Sequence, residues 1–226
     1  MTGPQPATFL QSFSERERAE LAAAGRDRRW LAAETLVRRG DRADSAIVLL
    51  AGRAKVHRLA ADGTEVILGF LGPGDLLGEI AAIGGATRSA TVTAIEPVSG
   101  IVIAISALRA FLAGHPEATL ALLDLTLARL YVADARRVEF ATADSLARVA
   151  ARLVELAERF GIDRHQAGIE IELPINQEEL ASWSASSRES TARALRTLRD
   201  LRLIQTGRRR LTVINLDGLR QHTTQL

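Results

Sequence analysis

The sequence predicts an α+β chain built from an N-terminal antiparallel β jelly roll, a long dimerisation helix and a C-terminal winged helix-turn-helix. Three observations carry that expectation. Short apolar runs alternate with turn signals from Leu36 to about Ile105. A helical period then begins at Pro116 and persists for about 26 residues, or about 39 Å at 1.5 Å per residue. Finally, two short capped helices follow Pro174 and lead into a hairpin. The expected parts are residues 9–115, 116–143 and 144–226.

Phe9, Leu10 and Phe13 precede a short helix with Ser14 at its N-cap and Glu15 and Glu17 in the first turn. The strand region is punctuated by Arg39-Gly40-Asp41, Ala51-Gly52, Asp62-Gly63, Gly72-Pro73-Gly74-Asp75 and Glu96-Pro97. Asp62-Gly63 lies between the apolar runs 56–59 and 66–70, which marks a hairpin. A mixed α/β sheet would need helices between strands, and no such pattern is visible before Ser106.

In the long helix, Leu120, Leu123, Leu127, Leu130, Asp134 and Val138 recur at three and four residues, an apolar seam with one acidic interruption. That seam can lie on the chain's own barrel or face a second copy. A helix this long outreaches a small barrel, which favours a parallel homodimer. Asp144 or Ser145 caps the next helix, residues 146–160, which ends at Gly161. Residues 162–168 read as a loop, and Ile169-Glu170-Ile171-Glu172-Leu173 alternates as a strand that Pro174 stops.

Composition narrows the function. The chain is 47% hydrophobic and 25% charged, with no apolar run long enough to span a membrane and no leading signal pattern, so a cytoplasmic protein without a membrane partner is expected. Without cysteine, disulfides, zinc-thiolate sites and iron–sulfur clusters are excluded, and four scattered histidines suggest no metal site. Residues 1–144 hold 16 Lys/Arg and 17 Asp/Glu, whereas residues 145–226 hold 13 and 10, so the second part is the one suited to a polyanion.

The segment with most chemistry is residues 78–92, GEIAAIGGATRSATV. A cyclic phosphodiester needs a fixed cation, backbone donors and an acceptor for the free ribose hydroxyl. Arg88 can fork onto the phosphate, Ser89 and the nearby amide of Ala90 can complete the cradle, and Glu79 can accept from the 2′-OH. Gly78 lets the backbone approach closely, and Ile80 is the aliphatic residue that follows. The bland alternative is a solvated Glu and Arg in a Gly-rich turn. The ordered string, Gly-Glu-aliphatic followed by Arg-Ser-Ala-Thr-Val, resembles the phosphate-binding cassette of cyclic-nucleotide-binding domains. An enzyme acting on such nucleotides is disfavoured, because Glu79 has no neighbouring histidine or second carboxylate and no nucleophile motif is present.

Downstream, Asn176 precedes Gln177-Glu178-Glu179 as a capping pattern, Leu180 and Trp183 face inward, and Ser186 or Ser187 caps a second helix with Ala192, Leu195, Leu198 and Leu201 on its apolar side. This is a helix-turn-helix layout whose second helix presents Arg188, Glu189 and Arg193 near its start. Arginine can bond guanine bidentately and a carboxylate can accept from cytosine. Ile204, Gly207 to Arg210 and the run 211–214 read as a wing, with Arg208 and Arg209 facing phosphates. A helical hairpin with a solvated Arg/Glu face is the plainer reading.

Taken from residue 9 to 219, the chain resembles the Crp/Fnr (catabolite-activator and fumarate-nitrate-regulator) family of bacterial transcription factors. The resemblance implies a ligand-gated dimer on double-stranded DNA, contacting RNA polymerase, with cAMP as effector and cGMP open. Ser187-Arg188-Glu189-Ser190 with Arg193 would be the recognition helix, and Gln177 would lie near the phosphate backbone. Family members that respond to cAMP offer hydroxyls from the long helix to the adenine, where this chain has Asp134 and Ala135. Asp134 can accept from adenine or from guanine, or pair with Arg137 or a partner's Arg136 across the seam. A rival of the same fold would bind DNA independently of cyclic nucleotide.

Overall fold

The computed structural model describes residues 8–84, 87–207 and 210–223. The chain divides into two compact units, Met1–Asp134 and Ala135–Leu226.

In the first unit a 3-10 turn at Phe9–Ser12 leads to helix α1, Glu15–Ala23. Ser14 caps α1 by accepting from the Glu17 amide, and Glu17 reaches back to the Ser14 amide at 2.8 Å. Strands β1 (Gly25–Trp30), β2 (Thr35–Val37), β3 (Ser45–Ala51), β4 (Ala54–Leu59), β5 (Glu65–Leu71) and β6 (Leu76–Leu77) follow. Helix α2 (Glu79–Gly84), β7 (Thr91–Ala94), β8 (Val98–Ala104), α3 (Ile105–Gly114) and α4 (Pro116–Thr142) complete the run.

The strands form two antiparallel four-stranded sheets, ordered β1-β8-β3-β6 and β2-β7-β4-β5. Side chains alternate across β3, so Ile47 and Leu49 join Leu77, Val92 and Val98 in one core. Ala46 and Val48 instead join Phe9, Leu108, Phe111, Leu122 and Leu125 in a second, beneath the helices. Gly63 turns the β4–β5 hairpin at φ 84°, as the Asp62-Gly63 pair predicts.

Three departures from the sequence expectation stand out here. Helix α2 interrupts the strand region, where no helix was expected before Ser106. It begins directly after Gly78, whose positive φ turns the chain out of β6. Strand β1 has four exposed residues and buries only Trp30 at its end, so it lacks the alternation that marks a strand. Helix α3 begins one residue before Ser106.

The second unit contains α5 (Ser145–Phe160), β9 (Gly161–Asp163), a 3-10 turn (His165–Ala167), β10 (Ile169–Ile171), α6 (Gln177–Trp183), α7 (Arg188–Asp200), β11 (Ile204–Gly207), β12 (Arg210–Val213) and α8 (Leu216–Gln221). The span 162–168, expected as loop, is therefore partly strand and 3-10 turn. Ile169, Glu170 and Ile171 pair with residues 161–163, a partner too short to show a period of its own. The sheet order is β11-β12-β10-β9, all antiparallel. Asp144 caps α5, whose Val149, Leu153, Leu156 and Phe160 are buried. No helix among the described residues is long and apolar enough to cross a membrane.

Candidate functional site

The cassette residues converge on a buried arginine. The Arg88 side chain is only 5% exposed. Its backbone is pinned on both sides, the amide donating to Asp41 at 2.9 Å and the carbonyl accepting from Gly40 at 2.9 Å. Nη2 donates to Ser45 Oγ at 3.2 Å, while Asp44, itself 83% exposed, stays 3.9 Å away, too far for a hydrogen bond. Nη1 is buried and has no hydrogen-bond partner among the described residues. Burial lowers the guanidinium's pKa, opposed by Asp44, Asp41 and Glu79. An arginine nevertheless keeps its charge, so an unsatisfied cationic donor sits inside the roll.

Gly78 makes room for it. At φ 90° the glycine adopts a conformation that side-chain-bearing residues avoid, and a Cβ there would collide with Nη1 of Arg88. The next residue, Glu79, is 5% exposed and accepts from Nη1 of Arg129 at 2.5 Å. Arg129 also donates from Nη2 to the Leu76 carbonyl at 2.8 Å, so one guanidinium on α4 holds both the carboxylate and the strand before it. Sequence reasoning missed Arg129, because nothing local links it to a carboxylate 50 residues away. A carboxylate offers about four acceptor positions, so Glu79 can accept from a hydroxyl as well as from Arg129.

The remaining cassette residues are less enclosed. Ala90 is buried, Ser89 is exposed, and Ile80 is 57% exposed on α2. Two cavities open on Arg88. One, of about 650 Å³, runs toward Asp41, Asp44 and Ser45; the other, of about 620 Å³, is lined by Arg39, Gly40, Arg58, Thr87, Arg88 and Ser89. Asp134 and Ala135 are exposed on α4, on either side of the division between the units, and line neither cavity.

Helix α4 has two faces. Ala118, Leu122 and Leu125 are buried in the core of the first unit. The seam residues Leu120, Leu123, Leu127, Leu130 and Val138 are all more than half exposed, as is Tyr131. The seam therefore does not lie on the chain's own roll.

In the second unit α6 and α7 form the helix-turn-helix, joined through residues 184–187 with Ala185 at φ 48°. Asn176 and Glu179 make the reciprocal cap of α6, and Ser187 caps α7 by accepting from the Ser190 amide at 3.1 Å. Trp183, Leu195 and Leu198 are buried, which turns Arg188, Glu189, Arg193 and Gln177 to the exposed side. Arg188 is ion-paired with Glu178, and that pairing holds the Glu178 carboxyl below the usual range. Arg193 donates to Ser190 Oγ at 2.9 Å. Arg208 and Arg209 lie outside the described residues.

Two arginines that sequence reasoning passed over stabilise this unit. Arg148 on α5 donates to the carbonyls of Ala143 (2.6 Å), Ser184 (2.9 Å) and Ala185 (3.1 Å), tying the start of α5 to the turn of the helix-turn-helix. Arg152 is 5% exposed and donates to Glu139 at 2.7 Å, while the single nitrogen Nη2 of Arg136 donates to both carboxylate oxygens of Glu155, at 2.8 and 2.9 Å. Both guanidinium carbons lie over the Trp183 ring, at 5.6 and 5.4 Å from its centroid. The last turns of α4 thus carry side chains bound into the second unit.

A β-roll that buries an arginine and a carboxylate side by side, in one chain with a winged helix-turn-helix, defines a DNA-binding regulator with an effector domain. Residues 27–115 match the cyclic nucleotide-binding domain and residues 147–222 the Crp-like helix-turn-helix domain. The chain is 31% identical over 161 residues to the CRP-like cAMP-activated global transcriptional regulator of Mycobacterium tuberculosis (strain ATCC 25618 / H37Rv), covering 71% of each. It is 29% identical to the cAMP-activated global transcriptional regulator CRP of Salmonella typhimurium over 171 residues, 75% of this chain and 80% of that one. The structure of FixK2 from Bradyrhizobium japonicum has the same fold, with a TM-score of 0.79 at 20% identity, covering 89% of this chain and 98% of that one. This chain belongs to the Crp/Fnr family of transcription regulators.

Proposed function

We propose that the protein is a homodimeric transcription regulator whose DNA binding is gated by a cyclic nucleotide, cAMP ahead of cGMP. The observation that carries the reading is Arg88, a buried guanidinium whose Nη1 has no partner among the described residues. An unsatisfied buried charge is costly, and an anionic phosphate supplies what it lacks. Glu79, held by Arg129, would accept from the ribose hydroxyl. The Mycobacterium and Salmonella relatives, both named as cAMP-activated regulators, support cAMP. The exposed leucine seam of α4 would pair with a second copy, and a twofold axis would place the two α7 helices about 34 Å apart in successive major grooves. Arg188 and Arg193 would read guanines, Glu189 a cytosine, with Ser187, Gln177, Arg208 and Arg209 on the backbone. RNA polymerase would be the further partner, in the cytoplasm.

A second reading, DNA binding without nucleotide, draws on one observation: Glu79 already has its counter-ion in Arg129. Isothermal titration with cAMP, then with cGMP on a fresh sample, separates the two. Saturable micromolar binding near one nucleotide per chain, abolished in Arg88→Leu, supports the gated regulator. No heat with either, over a range of temperatures, leaves a DNA-binding dimer with another signal.

A further inference from the structure

Two arginines besides Arg88 line a cavity next to the cassette. The cavity of about 620 Å³ beside the cassette is lined by Arg39, Arg58, Thr87, Ser89, Gly40 and Arg88, and the Arg88 guanidinium itself is turned toward Ser45. Among the described residues, no carboxylate lines it. Strand pairing explains how two extra cations arrive there. Val37 of β2 pairs with Val92, and the Arg39 amide just beyond donates to Thr91 Oγ1 at 3.1 Å. On the other side of β7, His57 of β4 pairs with Thr91, which carries Arg58 alongside Ala90 and Ser89. The strand leaving the cassette is thus flanked by an arginine on each side.

The nearby carboxylates are committed elsewhere. Glu65 on β5 takes Lys55 at 2.6 Å and His57 at 3.0 Å, and the residue opposite Arg58 in the hairpin is Val66. Asp41 and Asp44 line the other cavity on Arg88. Among the described residues neither Arg39 nor Arg58 has an ion pair, and both are exposed. Like charges lining one cavity repel each other, and a singly charged ligand bound to Arg88 leaves Arg39 and Arg58 uncompensated.

We propose that Arg39 and Arg58 form a second phosphate subsite beside Arg88, so that the roll takes a nucleotide carrying a second phosphate group. Arginine forks onto phosphate oxygens in two parallel charge-assisted bonds, and a pair of such forks with the Ser89 and Thr87 hydroxyls between them is chemistry for a dianion. The second phosphate can come from a cyclic dinucleotide or from a linear nucleoside bisphosphate. This inference rests on reading the cassette as a nucleotide site.

The test is titration of the full chain with cAMP, cyclic di-AMP and adenosine 3′,5′-bisphosphate, and with the three guanine counterparts. The same ligands are titrated into Arg39→Ala/Arg58→Ala. The expected result is that one of the two-phosphate ligands binds about tenfold or more tightly than the cyclic mononucleotide of the same base, a margin set by the added charge-assisted contacts. The double variant loses that margin and keeps the mononucleotide affinity. Whether cyclic dinucleotide or bisphosphate carries the gain identifies the source. A mononucleotide that binds as tightly as either overturns the second subsite and leaves the nucleotide site standing, as does a margin that survives in the double variant. If none of the six binds, the nucleotide reading itself fails and the subsite with it.

Discussion

Arg129 grips Glu79 at 2.5 Å and, through its other terminal nitrogen, the carbonyl of Leu76 at 2.8 Å. The carboxylate proposed to meet the ribose is thereby fixed by a residue of the long helix rather than by its own loop. Removing the guanidinium would strand a carboxylate that is only 5% exposed. Because Arg129 is itself 29% exposed, the penalty falls below that of a fully buried pair. Arg129→Ala is expected to lower stability by about 1–3 kcal/mol, read by denaturant unfolding, and to weaken nucleotide binding at the same time. Unchanged affinity in a stably folded variant would separate the ion pair from the ligand site.

The three-carbonyl clamp of Arg148 predicts that its loss is felt at the DNA. Two of its acceptors, Ser184 and Ala185, belong to the turn that sets α7 against α6. Arg148→Ala is expected to weaken DNA binding measured by fluorescence anisotropy, although the residue lies on a different helix from those proposed to read bases. Lysine should not restore it, since one ammonium lacks the planar fork that reaches three carbonyls. Full rescue in Arg148→Lys would mean that charge alone matters.

Glu139 gives the second unit a pH dependence of defined sign. Burial raises its carboxyl above the ordinary range, against the opposing pull of Arg152 and Arg136. A group whose folded value exceeds its unfolded value favours folding when protonated. Its contribution is present below the unfolded value, about 4.3, and is lost as pH rises through the folded one. The Tm of the wild type relative to Glu139→Gln is therefore expected to rise as the pH falls from neutrality toward that value. A difference that stays flat across the window would contradict the raised carboxyl.

Arg188 must leave Glu178 to reach a base. Arg188→Ala is expected to cost about 10- to 100-fold in affinity for the preferred site, the scale of a lost bidentate contact, and to relax preference at one base pair. Equal losses on all sequences would place Arg188 on the phosphate backbone.

What could be read from the sequence divides along physical lines. Capping and turn chemistry are local, so Ser14 with Glu17, Asn176 with Glu179, Ser187 and Asp62-Gly63 all mark element ends that the structure has in those places. The cassette was visible because Gly78, Glu79 and Arg88 sit within eleven positions of one another. Arg129 and Arg148 escaped notice because their partners, such as Glu79 and Ser184, are brought near only by tertiary folding. Strand β1 escaped because Arg26, Asp27, Arg28 and Arg29 leave no apolar alternation on an edge strand. Arg39 stood out in the sequence only as part of a turn and Arg58 not at all, because what brings them beside Thr91 and Ala90 is the pairing of β2 and β4 with β7.

Strand β3 faces two cores at once, with Ile47 and Leu49 on one side and Ala46 and Val48 on the other. A volume change at Leu49 can be compensated by Val92 or Leu77, whereas one at Val48 must be compensated by Leu122, Leu125 or their neighbours. Substitutions at consecutive positions of a single strand are therefore constrained by two separate sets of neighbours.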